Sequence, residues 1–445
     1  MMKIASFVRP LLLCSCLAIS CQPATPSEEL VIWAAGREGE LLSRLLPEFE
    51  VSHPNVHVHA QQVPWLSAHE KLLTAAVAHR GPDLAQLGNT WIPEFATIDA
   101  LEPLDDELSA STSVVPDDYF PGSWESNEFE GRSYGVPWYV DTRLLFFRRD
   151  LLSRAGFERP PRTWAEWLEM LRALQEQGRS HSGRPASPAA LFLRLDEPEL
   201  LLALGLQQAP LLRDGDRYGN FRSVEFRGAL DYYLSLAQVA LLDAEASSQI
   251  ANLWDEFARG AFVFFISGPW QLGELARRLP PEREDSWDTA QLPGRDGPGA
   301  SLALGASLVI FKGSQHKRAA WQLIEYLSRP DVQRRFHELS GDLPPRRSSW
   351  EGSELASERG AAAFRAQLEQ LRRIPAVPEW SRISSAITVI EERAARGALA
   401  ASAAAEELDR RTDRILEKRR WILERRSMLE QRSGPSHSRA VGALP

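Results

Sequence analysis

A chain of 445 residues is longer than one hydrophobic core keeps growing, so two domains are expected. Its 44% hydrophobic and 25% charged residues are an ordinary globular composition. A formal net charge of −9 argues against nucleic acid as a partner, because nucleic-acid binding needs a basic footprint.

Lys3 and Arg9 precede an apolar run over 11–20 that is too short to cross a bilayer as a permanent helix. Small residues at Ala18 and Ser20 fit a signal-peptidase cut before Cys21, so 1–20 read as a signal peptide and the mature protein as exported. The segment also resembles a bacterial lipobox, with Ala18 where leucine is usual. Cys21 would then be acylated, 21–27 would be a polar tether, and the protein would sit membrane-anchored in a periplasmic or extracytoplasmic space. Cys14 and Cys16 leave with the signal, so the mature chain keeps one thiol and cysteine catalysis is excluded.

Folding begins at "ELVIWAA", an apolar run typical of a buried strand. Leu41, Leu42, Leu45, Leu46 and Phe49 share one helical face, predicting a helix from near Gly39 that Pro47 weakens. "NVHVHAQQV" alternates as a half-buried strand, with His57 and His59 on its solvent side. Those histidines, with His53 and His69 nearby, raise a zinc site as an alternative that the alternation itself makes unnecessary. "HEKLLTAAVAHR" is helical and "PDLAQLG" is a strand, so the opening third is α/β with a parallel sheet.

"GVPWYVDTR" at 135–143 puts two aromatics, a carboxylate and a guanidinium between apolar stretches, and leads into the strand "RLLFF". Thr163 and Glu166 form a capping box for the next helix. The 180–188 stretch is a turn-rich connection, and 190–290 is mostly helical by pattern. Within it "RGAFVFFISGPWQL" reads as a buried strand, a Gly-Pro turn and a helix. "PGRDGPGAS" and "GDLPPRRSSW" are breaker-rich connections on either side of a strand and two helices split at Pro330. From Arg393 a basic helix is predicted, packed by a stripe of Leu408, Ile415, Ile422 and Leu429, before a disordered tail at 433–445.

Serine-hydrolase elbows, zinc-protease helices, phosphate loops and dinucleotide turns are absent from the sequence. Paired glycosidase carboxylates have no local signature, so motifs alone do not exclude that activity.

Taken in order, "VIWAAGREGELLSRLLPEFEVSHPNVHV", "GPDLAQLGNTWIPEFATIDALEPLDDEL", "YGVPWYVDTRLLFFRRDLL", "PPRTWAEW", "ISGPW" and "AAWQLIEYLSRPDVQRRF" resemble the solute-binding proteins of bacterial ABC sugar importers, of the maltose-binding-protein-like group. The resemblance runs from about Leu30 to about Leu408. It implies a type II periplasmic-binding-protein-like fold: two α/β lobes, a ligand cleft, and crossings near 138–142, 300–306 and 341–346. The first lobe would be 28–139 with 304–341, the second 140–303 with 342–408, and 409–432 the basic helix.

The resemblance also implies a binding protein without cofactor or metal, a monomer that delivers a carbohydrate to permease subunits and their ATPase. Arg37 and Glu38 would meet sugar hydroxyls, and Asn89, Thr90 and Trp91 would form a second cluster. Thr90 and Trp91 replace charged residues of the maltose binder, which puts maltose itself in doubt. Asp141 matches the hinge carboxylate, Trp138 or Tyr139 would line the cleft, and Arg143 would support Asp141. Trp270 and Trp380 match the ring-stacking aromatics, with Gly305 and Arg346 at the other crossings. A binder of another solute and an exported carbohydrate-active enzyme using Asp141 are the alternatives. Fourteen tryptophans suit a sugar site, which needs flat aromatics beside carboxylates, amides and guanidinium groups.

Overall fold

The computed structural model describes residues 27–179, 189–242 and 252–432. The signal segment, Cys21, the 180–188 connection and the 433–445 tail lie outside the described residues.

The first sheet opens with β1 (Glu28–Ala35), which buries Leu30, Ile32 and Ala34. The helix expected near Gly39 is two short ones, α1 (Gly36–Leu42) and α2 (Leu46–Ser52). Pro47 falls in the first turn of α2, where a missing N–H leaves no bond unmade, so the proline starts a helix instead of weakening one. β2 (Val56–Val63) pairs in parallel with β1, Glu28 opposite Val56 through Ala35 opposite Val63. It is the sheet's edge strand; His57 and His59 are exposed on it, and His59 Nε2 lies 2.5 Å from Glu29 Oε2. α3 (Trp65–Val77) returns to β3 (Leu84–Gly88), buried throughout.

β4 (Val136–Asp141) ends this sheet and β5 (Leu144–Arg148) begins the second, so two residues of "GVPWYVDTR", Thr142 and Arg143, carry the chain across. α4 (Trp164–Arg179) starts on the expected capping box: Thr163 Oγ1 accepts from Glu166 N at 3.2 Å, and Glu166 Oε2 accepts from Thr163 N at 3.4 Å. The second sheet is completed by β6 (Ala189–Phe192), β7 (Phe262–Ser267) and β8 (Trp287–Ala290), in the order β8-β5-β7-β6. β6 and β8 correct the mostly helical reading of 190–290. They are short strands whose partners lie far away in sequence, so no local periodicity marks them.

α5 (Trp270–Arg278) follows β7, and β9 (Leu304–Ile310) brings the chain back to the first sheet, antiparallel to both β3 and β4. The first sheet is therefore ordered β2-β1-β3-β9-β4. α6 (Lys317–Leu327) and α7 (Pro330–Ser340), split at Pro330 as expected, pack Leu323, Ile324 and Phe336 into its core. A separate core joins Trp167, Leu201, Phe226 and Ile387 over the second sheet, so two α/β lobes each bury their own apolar face.

The three crossings lie side by side. Leu304 pairs with Asp141, and Val140 N donates to Leu343 O at 2.9 Å. Gly305 has φ +136, and a Cβ there would lie 2.4 Å from Tyr139 O, so the strands approach this closely only over a glycine.

α8 (Trp380–Ala395), α9 (Ala401–Ile415) and α10 (Glu417–Arg432) close the chain. The single amphipathic helix expected from Arg393 breaks twice, at 396–400 and at Leu416. Leu408 and Leu416 are buried in the second lobe's core, whereas Ile422 and Leu429 are 47% and 55% exposed, so the apolar stripe is no longer buried beyond Leu416. Asp409 accepts from Phe221 N at 2.7 Å and Arg222 Nε at 2.8 Å, which fastens α9 to the second lobe beyond the boundary expected at 408.

Candidate functional site

In an open α/β sheet, loops after the carboxyl ends of the strands form the natural crevice. Four such ends lie along one edge of the first sheet: Arg37 and Glu38 after β1, Trp65 after β2, Asn89–Trp91 after β3, and Asp141 closing β4. Gln86 ties the strands together beneath this edge. Its Oε1 accepts from Ala35 N and its Nε2 donates to the Tyr139 hydroxyl, each at 2.8 Å.

At the hinge, Arg143 Nη1 donates to both Asp141 oxygens, at 2.7 and 2.9 Å, and Nη2 lies 3.7 Å from Glu199 Oε1. Its guanidinium sits 5.0 Å from the Trp270 ring centroid. Gly268 permits this packing, since a Cβ there would overlap Trp270 and approach Asp141 Oδ1 to 2.6 Å. Burial pushes the Asp141 carboxyl above its usual range, and Arg143 opposes that push. Glu199 Oε2 and Arg143 Nε are buried without a partner among the described residues.

A second pair of acids lies beside this one. Asp342, on the third crossing, is 5% exposed, and its carboxyl lies near that of Glu38. Burial raises both acids, and the neighbouring Glu38 charge adds to the rise at Asp342. The Tyr139 hydroxyl, buried near Glu38, Asp342 and Asp141, is raised well above a free phenol, first by burial and then by those charges. Across the cleft, Arg37 Nη1 lies 3.8 Å from Glu274 Oε1 on α5, and Arg37 Nη2 donates to Leu339 O at 3.3 Å.

Arg37, Glu38, Tyr139, Asp141 and Trp270 therefore converge at the junction of the lobes, and Gly305 contributes backbone there. Four expected residues are placed otherwise. Trp138 is 1% exposed and stacks on Phe336 with centroids 4.5 Å apart, inside the first lobe's core. Trp380 is 4% exposed in the second lobe's core, although α8 sits against the Asn89–Trp91 turn. The Asn89 amide is engaged by Ser126 Oγ at 2.9 Å and Ala303 O at 3.0 Å. The Arg346 guanidinium donates to Asp118, Ser113 O and Ser328 O, so it anchors the third crossing. Thr90 and Trp91 are half-buried at the cleft edge.

Sequence reasoning missed Asp342, Glu199 and Gln86. The one signal for Asp342 was its place in the breaker run "GDLPPRR", since contact with Glu38 is long-range. A cavity of about 760 Å³ also opens between α5, α7 and 353–358, lined by Arg277, Arg334, His337, Glu338, Glu354 and Glu358 among others. No Trp, Tyr or Phe lines it, so it lacks the flat apolar surface of the hinge region.

Comparison with known proteins places this geometry in a family. Residues 34–334 match the family model described as bacterial extracellular solute-binding protein, and the chain belongs to that family. The chain is similar to the structure of the sugar-binding protein MalE from Xanthomonas citri: 48% identity, 89% of this chain and 99% of that one covered, TM-score 0.82. It is also similar to an ABC transporter solute-binding protein of Thermotoga lettingae bound with α-D-tagatose, at 26% identity over 88% and 100% of the two chains, TM-score 0.71. The diacetylchitobiose binding protein DasA of Streptomyces coelicolor is 22% identical, covering 80% of this chain and 82% of its own. The family and these relatives are binding proteins, not enzymes.

Proposed function

We propose that this member of the solute-binding family is the capture component of an ABC importer. It closes its two lobes on a saccharide and hands it to the permease subunits and their ATPase. The observation that carries this is the hinge itself. The half-buried carboxyl groups of Asp141 and Glu38, buried Asp342, the Arg143 guanidinium and the Trp270 ring meet where the two sheets join, next to Arg37 and Tyr139.

Sugar hydroxyls donate to carboxylates and accept from guanidinium groups, while sugar C–H faces pack on tryptophan. Glu199 Oε2 and Arg143 Nε, buried without partners among the described residues, offer an acceptor and a donor at the same place. A ligand that touches both lobes only when they are closed shifts the equilibrium toward closure. The likeness to a sugar-binding MalE at 48% identity supports a sugar over other solutes.

In this reading the first lobe is 28–139 with 304–341, and the second is 140–303 with the chain from 342 through α9. The protein is exported, acylated at Cys21 and held at the membrane as a monomer, with no cofactor. Calorimetry of the purified mature chain against a panel of mono- and oligosaccharides tests the reading. Heat with at least one carbohydrate is expected; no heat with any, alongside binding of a peptide or metal, overturns the sugar assignment.

A further inference from the structure

We propose that Trp65 forms an outer subsite of the cleft, on which a second sugar ring stacks well away from the hinge, so that the ligand is an oligosaccharide. This rests on the saccharide reading above and specifies the size of the ligand. Trp65 is the first residue of α3, directly after Pro64 and the end of β2. In the order β2-β1-β3-β9-β4, the ends of β2 and β4 bracket the whole ligand edge of the sheet. Four strand spacings separate them, roughly 19 Å from the hinge carboxylate Asp141 to Trp65. A single sugar bound at the hinge does not span that distance.

Trp65 is presented, not packed away. It is 43% exposed and its neighbour Leu66 is 100% exposed. Beneath it the rings are fixed in place. Trp65 stacks on Trp91 with centroids 5.4 Å apart and planes at 29°. A Cβ at Gly88 would lie 3.1 Å from both atoms of the Trp91 ring-fusion bond, so that indole lies with a face on the Gly88 backbone. His69 meets Trp91 edge-on at 5.0 Å, and its Nε2 is held 2.8 Å from Glu94 Oε2. Trp91 is thus the support, and Trp65 is the ring that remains for a ligand. Between Trp65 and the hinge, Arg37 after β1 is exposed and Thr90 after β3 half-buried, polar groups suited to the hydroxyls of intervening sugars. A rigid exposed aromatic that continues a ligand edge is the surface on which a sugar's apolar face gains most, since its orientation is already fixed.

The test is calorimetric titration of wild type, Trp65→Ala and Trp65→Phe with glucose, maltose, maltotriose and maltotetraose, and with the corresponding β-1,4-linked glucose series. Circular dichroism checks that each variant is folded. Wild type should bind longer members more tightly. Trp65→Ala should weaken the longest bound member about tenfold while shifting the shortest less than twofold, and Trp65→Phe should recover most of the loss. Equal losses at every length, no loss at the longest, or a wild type that prefers the monosaccharide overturns the subsite. A wild type that binds no saccharide of any length overturns the saccharide reading instead.

Discussion

Replacing Arg143 with methionine keeps much of the buried stem and removes the charge that holds Asp141. Arg143 is 8% exposed and donates to both Asp141 oxygens, at 2.7 and 2.9 Å. Removing one partner of a buried pair costs about 3–5 kcal/mol, because the other charge is left unpaired. The Asp141 side chain keeps 19% exposure, which favours the lower end, about 3 kcal/mol. The sign of the pH dependence follows from burial, which already raises Asp141 while Arg143 opposes the shift. Without Arg143 the carboxyl is raised further. A group raised in the folded state contributes its stability below its unfolded value, near 3.8, and loses it as pH rises through the folded value. The Arg143→Met deficit should therefore be small near pH 4 and complete by neutral pH, where the melting temperature falls by roughly 6–12 °C. Urea unfolding followed by tryptophan fluorescence at the two pH values measures it, and Asp141→Asn in the same background should restore much of the loss. A deficit equal at both pH values, or below about 1 kcal/mol at neutral pH, refutes the buried-pair reasoning.

Trp138→Ala should cost about 3–5 kcal/mol, since it empties a core position stacked on Phe336, and leave saccharide affinity of the folded protein intact; urea midpoints and calorimetry separate the two, and a selective affinity loss would return Trp138 to the cleft. Asp342→Asn should flatten the pH dependence of stability. The raised Asp342 stabilises at low pH and gives up that stability as pH rises through its folded value, so the asparagine variant gains relative to wild type toward alkaline pH, and parallel melting curves across pH would contradict this. Gly305→Ala should lose about 1–3 kcal/mol, because φ of +136 and the Tyr139 carbonyl leave no room for a Cβ; a melting temperature equal to wild type argues against strain at this crossing.

Elements set by local chemistry were legible in the sequence. The apolar runs of β1, β3 and β7, the Thr163–Glu166 box and the break at Pro330 each lie where their own residues place them. "GVPWYVDTR" is the first crossing, because a strand that ends in a charged turn before a second apolar run has to change its surroundings there. Which of its aromatics faces the cleft was not legible. That depends on the register of β9, which shifts between Ala306 and Ser307, and on Phe336, some 200 residues away in sequence, covering Trp138. Arg346 looks like any hinge arginine until Asp118 and two carbonyls take up its donors. Asp342 and Glu38 become a pair only when the third crossing folds back beside α1. The heptad of the C-terminal segment promised one continuous helix, but local periodicity carries no information that the stripe's burial in the second lobe's core ends at Leu416.

Small-angle X-ray scattering of the mature chain, with and without a saturating saccharide identified by calorimetry, tests most directly whether capture and closure are one event. The account predicts that the radius of gyration falls on binding and that Asp141→Ala, tested at the same saccharide concentration, loses both the fall and the binding heat. Full binding heat with an unchanged scattering profile would contradict it.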